Sequence, residues 1–561
     1  MSATPATPPP ALRPYLTARH ELLWDEADAF AAEHVAPRAV RMEAAPGRVE
    51  RKVADLMAAR GWFAVTVPAA FGGLGAGHVA KTILVHRIAR VSAAAAAILQ
   101  ASLIPVGALL HFASYEQKGR WLPRVADGSL LLSIGVTEPL AGGHIGGIET
   151  TAERVGNQWV ITGSKIHIGN SHLAGAHLVI ARTAKAGAST SQALTAFMVE
   201  ADRPGLSVPG HRAGLGLHGF SAGCLDLDHV RVPDDNVVGE IGQGLSVAQS
   251  SSILYGRPNL AAVSLGIHEA VVATTTARLK TRPRYRGTLS DLPVLRDRIG
   301  AMEARLRAGR ILAYQSVHLL DQGLPCDADL INAKYLGHQW AAQSAQDAME
   351  LHGAHALDRD YVLQRLWRDI QYTYPPAGTG EVQRMRLADA AFDEDHIQWS
   401  ERLAAEAAWA RPTPPPHEPP YAAPRESRPP RTGRCRWSPS PAGTGGTHPG
   451  DRPFQPRKRH RDPARDDQRT DHPSDANAAA RRPTPREGLC TPRDRSEDRA
   501  VGGHRPPVHP RHPREPPLPA PLQAPCHRAP PIHHPAGGLS HGGQAGSEAQ
   551  PRTAAAAPSR R

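Results

Sequence analysis

Leu131–Asn170 reads LLSIGVTEPLAGGHIGGIETTAERVGNQWVITGSKIHIGN, and this stretch decides the fold of the chain. A short apolar run ends at Thr137-Glu138-Pro139, and a loop of small residues follows at Ala141-Gly142-Gly143. Two runs of alternating polarity come next, on either side of Gly156-Asn157, a pair that is typical of a hairpin turn. A loop of Gly and Ala lets a flat ligand approach the backbone, because almost no side chain stands in the way. We therefore predict a small β domain with a ligand-binding loop.

The end of the first run carries a family motif. Val136-Thr137-Glu138-Pro139 is identical to the start of "VTEPGAGSD", and in this the stretch resembles the acyl-CoA dehydrogenase flavoproteins. Leu140 stands for the first Gly, and Gly143-His144 stands for Ser-Asp. The resemblance implies FAD as cofactor, with the backbone at Ile134 and Val136 and the Thr137 hydroxyl at the flavin ring. It also implies that Gly142 and Gly143 contact FAD and lie along the pantetheine arm of the substrate.

The third β run carries a second motif in altered form. His167-Ile168-Gly169-Asn170 stands where the family has "WITN". Gly169 replaces a hydroxyl residue, so one side-chain hydrogen bond near flavin N5 cannot form. His167 takes the position of Trp, where it either stacks on the flavin or is an ordinary core histidine.

Further motifs follow the family order along the chain. They are Pro68–Gly75 for "P-x-x-[YF]-G-G-L-G", Leu215–Ser221 for "LGIRGS", Val230–Pro233 for "VRVP" and Gly242–Leu245 for "GxGF". Strands are predicted at Thr150–Arg154, Trp159–Ile161, Lys165–Ile168, His177–Arg182, Thr195–Glu200 and Cys224–Val232. Helices are predicted at Val247–Arg278, Leu295–Leu320, Asp327–Leu351 and Asp360–Tyr372.

The resemblance covers residues from about 17 to 409 and implies an α+β fold of the acyl-CoA dehydrogenase type. We predict an N-terminal helical domain over 17–130, a central β domain over 131–240 and a C-terminal four-helix bundle over 241–409. A disordered N-terminus over 1–16 precedes them. A disordered tail rich in Pro, Arg and His follows over 410–561, because such composition cannot bury enough apolar surface to offset the entropy of ordering.

The net charge of +12 belongs largely to this tail, so a nucleic-acid-binding role is not expected for the globular part. Within the tail, Arg457–Arg461 is more simply a solvated basic run than a nucleic-acid site. His533-His534 lacks the spacing of a metal site. An out-of-frame extension is a further hypothesis for the tail, since GC-rich codons in a shifted frame yield this composition.

The cellular location is predicted from what the chain lacks. The N-terminus is polar and Pro-rich, without the apolar region of a signal peptide. No apolar run approaches the length that spans a bilayer, and Ala93–Ala97 is short. The five cysteines are scattered and odd in number, which favours free thiols in a reducing cytoplasm. We predict a cytoplasmic protein that does not contact membranes.

The catalytic base of the family is missing. The resemblance places a Glu in an "EGT" motif after an "RD" helix end, and Arg368-Asp369 is followed without a gap by Gly378-Thr379. Ala377 therefore stands where that Glu is expected. Some members carry the base on the first C-terminal helix beside an Arg, and Gly256 occupies that position before Arg257. A general base contributes ~10²–10⁴-fold to the rate, so its absence matters.

Three interpretations follow. Another base is used, with Glu381, Tyr374 and His352 as candidates. The flavin chemistry is different, such as oxygen-dependent hydroxylation or oxidation of an α-hydroxy acyl thioester. Or the protein is a degenerate, structural member of the family.

Other cofactor contacts come from the C-terminal domain. Arg282 with Tyr285 resembles "R-x-x-F-G", whose Arg binds the FAD pyrophosphate of a neighbouring subunit through bidentate donors. Glu350 and Gly353 stand for the family's "Q-x-x-G-G", while Thr379 and Glu381 would lie near the adenosine end. Arg257 is a candidate for substrate binding. An exposed Arg at a helix end is the alternative for Arg282.

The sequence thus indicates an FAD-dependent oxidoreductase that acts on the CH–CH group of an acyl thioester, on CoA or on an acyl-carrier protein. A homodimer or homotetramer is expected, with a flavoprotein or oxygen as electron acceptor and no metal. The missing base favours a specialised pathway. The alternatives are a flavin-dependent monooxygenase of the same fold and a non-catalytic member.

Overall fold

A computed structural model describes residues 7–183, 189–395 and 397–401, and the predictions for the tail lie outside them. Its helices are α1 Ala18–Phe30, α2 Ala36–Ala44, α3 Arg51–Ala58, α4 Gly77–Val91, α5 Ala93–Phe112, α6 Tyr115–Ala126, α7 Gly244–Ser251, α8 Arg257–Thr281, α9 Pro293–Asp321, α10 Asp327–His352, α11 Val362–Ile370 and α12 Gly380–Ala391. Its strands are β1 Leu132–Gly135, β2 Thr151–Val155, β3 Gln158–Gly169, β4 Ala176–Arg182, β5 Leu194–Glu200, β6 Leu206–Ser207, β7 Ala222–Pro233, β8 Val237–Val238, β9 Pro283–Arg284 and β10 Gly287–Thr288.

Six helices come before β1, and six more follow β8, so the predicted α+β order is confirmed. Side-chain caps stabilise the first turn of several of these helices. The hydroxyl of Thr17 accepts the N–H of His20 at the start of α1, and the hydroxyl of Ser114 accepts that of Gln117 at the start of α6. Such caps satisfy amide groups that the first helical turn leaves without a partner.

The main sheet has the strand order β6-β7-β3-β2-β4-β5-β8, and β1 pairs with β4 in parallel. The predicted hairpin forms at Gly156, whose φ of +65° suits glycine, and Val155 pairs with Gln158 across it. The prediction of a separate third strand at Lys165–Ile168 is wrong. Those residues belong to β3, which changes register against β7 between Ile161 and Gly163 and again between Lys165 and Ile168.

Helix α5 lies in the middle of the molecule. It is 20 residues long and apolar on all sides, as expected for a helix buried in a large core. The prediction that no apolar run approaches bilayer-spanning length is therefore wrong for α5. By length and composition alone, α5 and the continuous helix Gly244–Thr281 could both span a membrane, but 89% and 67% of their apolar windows are buried inside the protein.

The N-terminus is more ordered than its Pro-rich composition predicts. Pro10–Tyr15 forms a turn of 3-10 helix, which corrects the prediction of disorder for this part of 1–16. Leu12 is fully buried in the main core, and the Tyr15 ring lies 5.5 Å from the ring of His318 on α9. Burial of Leu12 and the contact of Tyr15 with α9 stabilise the turn.

The C-terminal helices α8, α9, α10 and α11 pack together as the predicted bundle, and α4 packs on α8. A buried group of charges joins these domains, here called the Glu269 cluster: Asp28, His86, Arg87, Glu269 and Arg310. Glu269 accepts hydrogen bonds from Arg87 at 2.8 Å and Arg310 at 2.7 Å, and lies 3.2 Å from His86 Nε2. Arg87 also donates to Asp28 at 2.7 Å. The cluster therefore ties together α1, α4, α8 and α9.

Candidate active site

A buried ion pair fixes the loop that follows β1. Lys165 Nζ donates to Glu138 Oε1 at 2.6 Å and to the carbonyl oxygen of Val136 at 3.2 Å. Glu138 also accepts the backbone N–H groups of Glu149 and Thr150. Burial lowers the pKa of Lys165 to about 8, which still leaves it charged at neutral pH. These hydrogen bonds fix the position of the loop at the end of β1.

Thr137 and the β3 bulge lie side by side at this strand end. The N–H of Ile166 donates to the carbonyl oxygen of Thr137 at 2.8 Å, and Thr137 is half-buried. His167 has a φ of +58° at the bulge, and its side chain is exposed. The interpretation of His167 as a core histidine is therefore wrong. Its imidazole is free to contact a ligand at the strand end.

Gly169 lies against a tightly filled space. A Cβ atom at Gly169 would lie 2.9 Å from Cζ of Phe220 and 3.0 Å from Cβ of Ala101 on α5. Phe220 stands where the "LGIRGS" motif has Ser, so a large side chain at 220 fills the volume that a small residue at 169 leaves. Gly169 was identified from the sequence, but its exchange of volume with Phe220 was not predicted. Both departures from the motifs were visible in the sequence.

We expect Gly169→Thr, which restores the motif hydroxyl, to destabilise the protein by about 1–3 kcal/mol because the new side chain overpacks this space. Adding Phe220→Ser should recover most of that loss, and chemical denaturation of the four members of the double-mutant cycle measures the coupling. Phe220→Ser alone serves as the control. Additive effects of the two substitutions would contradict the exchange of volume.

The residues at this strand end fit a flavin. They offer the half-buried Thr137 and the exposed imidazole of His167. At Gly142 and Gly143 an added Cβ would meet no atom within 4 Å, so the loop backbone is open to a ligand. Flat and elongated groups can therefore lie directly on the main chain.

The two positions where the family carries its base converge in space. A Cβ atom at Gly256 would lie 3.2 Å from Cβ of Ala377, 3.8 Å from Ser252 Oγ and 3.9 Å from Ile104 Cδ1. Gly256 ends a turn of π-helix, Ser252–Gly256, between α7 and α8. Such turns occur often at functional sites. We call the space around Gly256 and Ala377 the base pocket.

Helix α5 connects the base pocket with the β1 strand end. Ala101 on α5 faces Gly169, and Ile104, one turn further along, faces Gly256. The Ser102 hydroxyl donates to the carbonyl oxygen of Leu132 in β1 at 2.8 Å, which holds the helix on the strand. The β1 strand end and the base pocket therefore contact adjacent turns of the same helix.

Lys334 and Gln383 hydrogen-bond to the backbone around Ala377, and Arg257 hydrogen-bonds to Gln383. Lys334 Nζ donates to the carbonyl oxygens of Tyr374 at 2.7 Å and of Gly378 at 2.6 Å. Gln383 Nε2 donates to the carbonyl oxygen of Ala377 at 2.8 Å, and Arg257 Nε donates to Gln383 Oε1 at 2.8 Å. Arg257 therefore reaches the loop through Gln383. Lys334 was not predicted as a site residue, although a lysine among the apolar positions of α10 was a signal in the sequence.

We expect Lys334→Met to loosen this loop, because both hydrogen bonds that Lys334 donates to its carbonyl oxygens are lost. Hydrogen exchange at the backbone amides of 377–380 should become roughly 10-fold faster or more. Lys52→Met, at an exposed position on α3, is the matched control and should change nothing there. Unchanged protection in Lys334→Met would contradict the role of Lys334.

The burial of Lys334 predicts that the free energy of unfolding depends on pH. Burial lowers the pKa of Lys334 to about 7, whereas the pKa in the unfolded chain is about 10.4. Between these values the unfolded chain binds more protons, so the free energy of unfolding of the wild type rises with pH relative to Lys334→Met. Denaturation at pH 7 and pH 9.5 measures the difference.

The candidate replacement bases divide into two groups. Tyr374 and Glu381 lie at the Ala377 loop, where the Tyr374 hydroxyl donates to Glu381 at 2.9 Å. Hydrogen bonds from its own backbone N–H and from Thr379 lower the pKa of Glu381 to about 2, which makes it a weak base. His352 lies at the far end of α10 from Lys334, about 27 Å along the helix. One protomer does not bring His352 to the base pocket.

Four of the remaining cofactor candidates lie far from the base pocket of the same protomer, whereas Thr379 lies in the Ala377 loop. Arg282 follows α8, whose 25 residues span about 38 Å from the base pocket. Tyr285 is 81% exposed, and Glu350 at the end of α10 pairs with Arg298 at 2.7 Å. Gly353 follows α10, while Thr379 lies beside Tyr374 in the Ala377 loop. Arg282, Tyr285, Glu350 and Gly353 are therefore exposed and lie far from the base pocket.

Comparison with known proteins identifies three consecutive domains. Residues 17–129 match the model of the acyl-CoA dehydrogenase N-terminal domain, 133–230 the middle domain and 242–392 the C-terminal domain. Together these matches cover most of the described chain.

Individual relatives match over nearly their whole length. An acyl-CoA dehydrogenase of Bacillus subtilis is 31% identical over 363 residues, which are 64% of this chain and 94% of that protein. The caffeyl-CoA reductase–Etf complex subunit of Acetobacterium woodii is 25% identical over 67% of this chain and 98% of its own. The solved structure of butyryl-CoA dehydrogenase from Megasphaera elsdenii is 27% identical, with a TM-score of 0.65 over 67% of this chain and 99% of its own. On these domains, motifs and relatives, the chain belongs to the acyl-CoA dehydrogenase family.

Proposed function

We propose that the protein is an FAD-dependent oxidoreductase that oxidises an acyl thioester at Cα–Cβ or a neighbouring position. The observation that carries the proposal is that Gly169 and the base pocket contact adjacent turns of α5, at Ala101 and Ile104. A thioester in the base pocket would therefore have its reacting carbon atoms close to a flavin at the β1 strand end. FAD, when bound, supplies the hydride acceptor.

The chain's own residues would share the binding of the cofactor. The backbone at Ile134 and Val136, the Thr137 hydroxyl and His167 would hold the flavin ring, and Gly142 and Gly143 would lie along the pantetheine arm. Arg282, Tyr285, Glu350 and Gly353 would reach the FAD of a neighbouring subunit, because α8 carries Arg282 about 38 Å from its own base pocket. We therefore propose a homodimer or homotetramer.

The lack of a carboxylate at positions 256 and 377 limits the reactions that the base pocket can catalyse. The α-proton of a thioester is only weakly acidic, so its removal needs a positioned base. Neither Gly256 nor Ala377 supplies a carboxylate, and Glu381 is a weak base at neutral pH. This observation favours a specialised reaction over fatty-acid degradation. It also supports a second candidate, a flavin-dependent monooxygenase that takes electrons from a reductase and uses oxygen.

The partners of the reaction are part of the proposal. The substrate is carried on CoA or on an acyl-carrier protein. A relative named as a subunit of a complex with Etf supports an electron-transferring flavoprotein as one acceptor, and oxygen is the other candidate. A cytoplasmic location is proposed from the odd and scattered cysteines, of which Cys224 and Cys326 are free thiols.

The test is anaerobic mixing of the full-length, FAD-loaded protein with a panel of acyl thioesters while the flavin absorbance is followed. Bleaching by a thioester is the expected result, and substitution of Tyr374 or Glu381 then identifies any base. A yellow protein that no thioester bleaches, but that reacts with oxygen once chemically reduced, would favour the monooxygenase. A protein that takes up no FAD would end the oxidoreductase proposal.

A further inference from the structure

Lys81 on α4 is a buried lysine that has no part in the site described so far. Its side chain is 0% exposed, and none of the described carboxylates forms an ion pair with it. Nζ lies 3.0 Å from His78 Nδ1, 3.4 Å from the carbonyl oxygen of Leu254 and 4.4 Å from the centre of the Tyr255 ring. None of these three groups carries a full negative charge, and burial of an ammonium group without such a partner is unfavourable.

The contact with Leu254 replaces a hydrogen bond that the helix cannot make. In an α-helix the carbonyl oxygen of residue 254 accepts the N–H of residue 258. That residue is Pro258, the second residue of α8, which has no N–H. Lys81 Nζ therefore supplies a donor to the carbonyl group of a buried residue, at the point where the chain changes from π-helix to α-helix.

Lys81 also contacts the next side chain of this π-helical turn. Tyr255 is 1% exposed, and its hydroxyl donates to Thr66 Oγ1 at 3.2 Å. A Cβ atom at Gly107 on α5 would lie 2.3 Å from the Tyr255 ring, so the ring lies directly on that helix. A cation over an aromatic face is attracted to it, more strongly where water is excluded. Lys81 thus holds two consecutive residues of the turn, Leu254 and Tyr255.

The two residues that follow in the chain belong to the base pocket and its support. Gly256 ends the π-helical turn, and Arg257 donates to Gln383, which holds the Ala377 loop. The peptide unit between neighbouring residues is planar and stiff, so a shift of Tyr255 moves Gly256 with it. The contacts of the buried ammonium group are therefore within two residues of the base pocket.

We propose that Lys81 is a positioning residue of the active site: its charged form holds the π-helical turn so that Gly256 and Arg257 are placed for thioester binding. The inference rests on the proposed function, since it concerns the binding of that substrate. The neutral amine would lose the attraction to the Tyr255 ring and would donate a weaker hydrogen bond to Leu254. Thioester binding should therefore depend on the charge of Lys81.

The groups around Lys81 allow this charge to be followed by pH. Burial lowers the pKa of Lys81 to about 7, and the charge of Asp321 on α9 opposes this shift. Burial also lowers the pKa of His78 and of His111 on α5, so both imidazoles are neutral above pH 6. It raises the pKa of Tyr255, which therefore keeps its proton. Of the three basic groups, Lys81 alone changes charge between pH 6 and pH 9.

The test compares thioester binding across this pH range. The full-length, FAD-loaded wild type, Lys81→Met and Lys81→Arg are titrated anaerobically with butyryl-CoA in a calorimeter at pH 6, 7, 8 and 9. At pH 6, Lys81→Met should bind about 10-fold more weakly than the wild type, the effect of one buried charged contact. At pH 9 the wild-type lysine is neutral, and the difference should shrink to within about 2-fold. Lys81→Arg stays charged and should bind more tightly than the wild type at pH 9.

The ratio of affinities at each pH cancels the titration of CoA and of Lys334, which all variants share. Lys52→Met, at an exposed position on α3, is the control and should bind like the wild type throughout. Hydrogen exchange at the amides of 255–257 needs no substrate and should become about 10-fold faster in Lys81→Met at pH 6. FAD content and circular dichroism verify that each variant folds. If the larger side chain of Lys81→Arg prevents folding, the other comparisons still decide.

The inference is overturned if the ratio of wild type to Lys81→Met is the same at pH 6 and pH 9, the result for a purely structural lysine. It is also overturned if both proteins bind butyryl-CoA equally at pH 6. Bleaching of the flavin with a constant ratio would keep the proposed function and remove only the inference. A pH-dependent ratio without bleaching by any thioester would keep Lys81 as a positioning residue for binding and remove the proposed oxidation. If the wild type binds no butyryl-CoA, faster exchange in Lys81→Met supports the inference and unchanged exchange overturns it.

Discussion

Ala377→Glu is expected to raise the rate at which a simple acyl thioester reduces the bound flavin by about 10²–10⁴-fold. The reason is the position of the side chain. Cβ of Ala377 lies 3.2 Å from the point where a Cβ of Gly256 would be, so a carboxylate at 377 enters the base pocket directly. Stopped-flow absorbance under anaerobic conditions, with butyryl-CoA in excess, measures the rate.

Ala377→Gln is the matched control, because it has the same size and no basic group. It should leave the rate near that of the wild type. Gly256→Glu should gain less than Ala377→Glu, since its Cβ must first displace Ala377 by a few tenths of an ångström. Equal rates in Ala377→Glu and Ala377→Gln would mean that the base pocket does not adjoin the reacting carbon.

Glu269→Gln should lower the free energy of unfolding by about 3–5 kcal/mol. The Glu269 side chain is only 14% exposed and is shared by Arg87 and Arg310, so its neutralisation leaves buried positive charge without compensation. Arg87 retains Asp28, but Arg310 loses the carboxylate it bonds at 2.7 Å. Chemical denaturation of the FAD-loaded protein at pH 7 gives the difference.

Glu303→Gln is the control, because the exposed pair Arg307–Glu303 should contribute only about 0–1 kcal/mol. The effect of Glu269→Gln should also depend on pH. Burial alone would raise the pKa of Glu269, but its contact with His86 and the charges of Arg87 and Arg310 outweigh burial and hold it well below its usual value. The carboxylate therefore stabilises the fold above about pH 4.3, and this contribution disappears as the pH falls through the lower, folded pKa.

The difference between wild type and Glu269→Gln should accordingly shrink between pH 4 and pH 3. A difference that stays constant over this range would show that the lost contacts are not electrostatic. A loss no larger than that of Glu303→Gln would show that the Glu269 cluster does not hold the domains together.

Much of this protein follows from the sequence alone. The order of helices, strands and helices, the hairpin at Gly156-Asn157 and the family motif at Val136–Pro139 depend on local patterns, which neighbouring residues determine. The absence of a carboxylate at 256 and 377 is likewise a property of the sequence. What local patterns misjudged were the register shift in β3, the helical turn at Pro10–Tyr15 and the length of α5. Each of these depends on burial against distant elements.

Only the tertiary structure decided which distant residues share a site. Gly256 and Ala377 lie far apart in the chain, and they meet because the turn before α8 packs against the Ala377 loop. The exchange of volume between Gly169 and Phe220, the hydrogen bonds from Lys334 to the Ala377 loop and the hydrogen bond from Asn259 to the backbone carbonyl oxygen of Gln100 arise in the same way. Contacts of this kind depend on how helices and strands pack, and a side chain's periodicity along its own element carries no information about its partner on another.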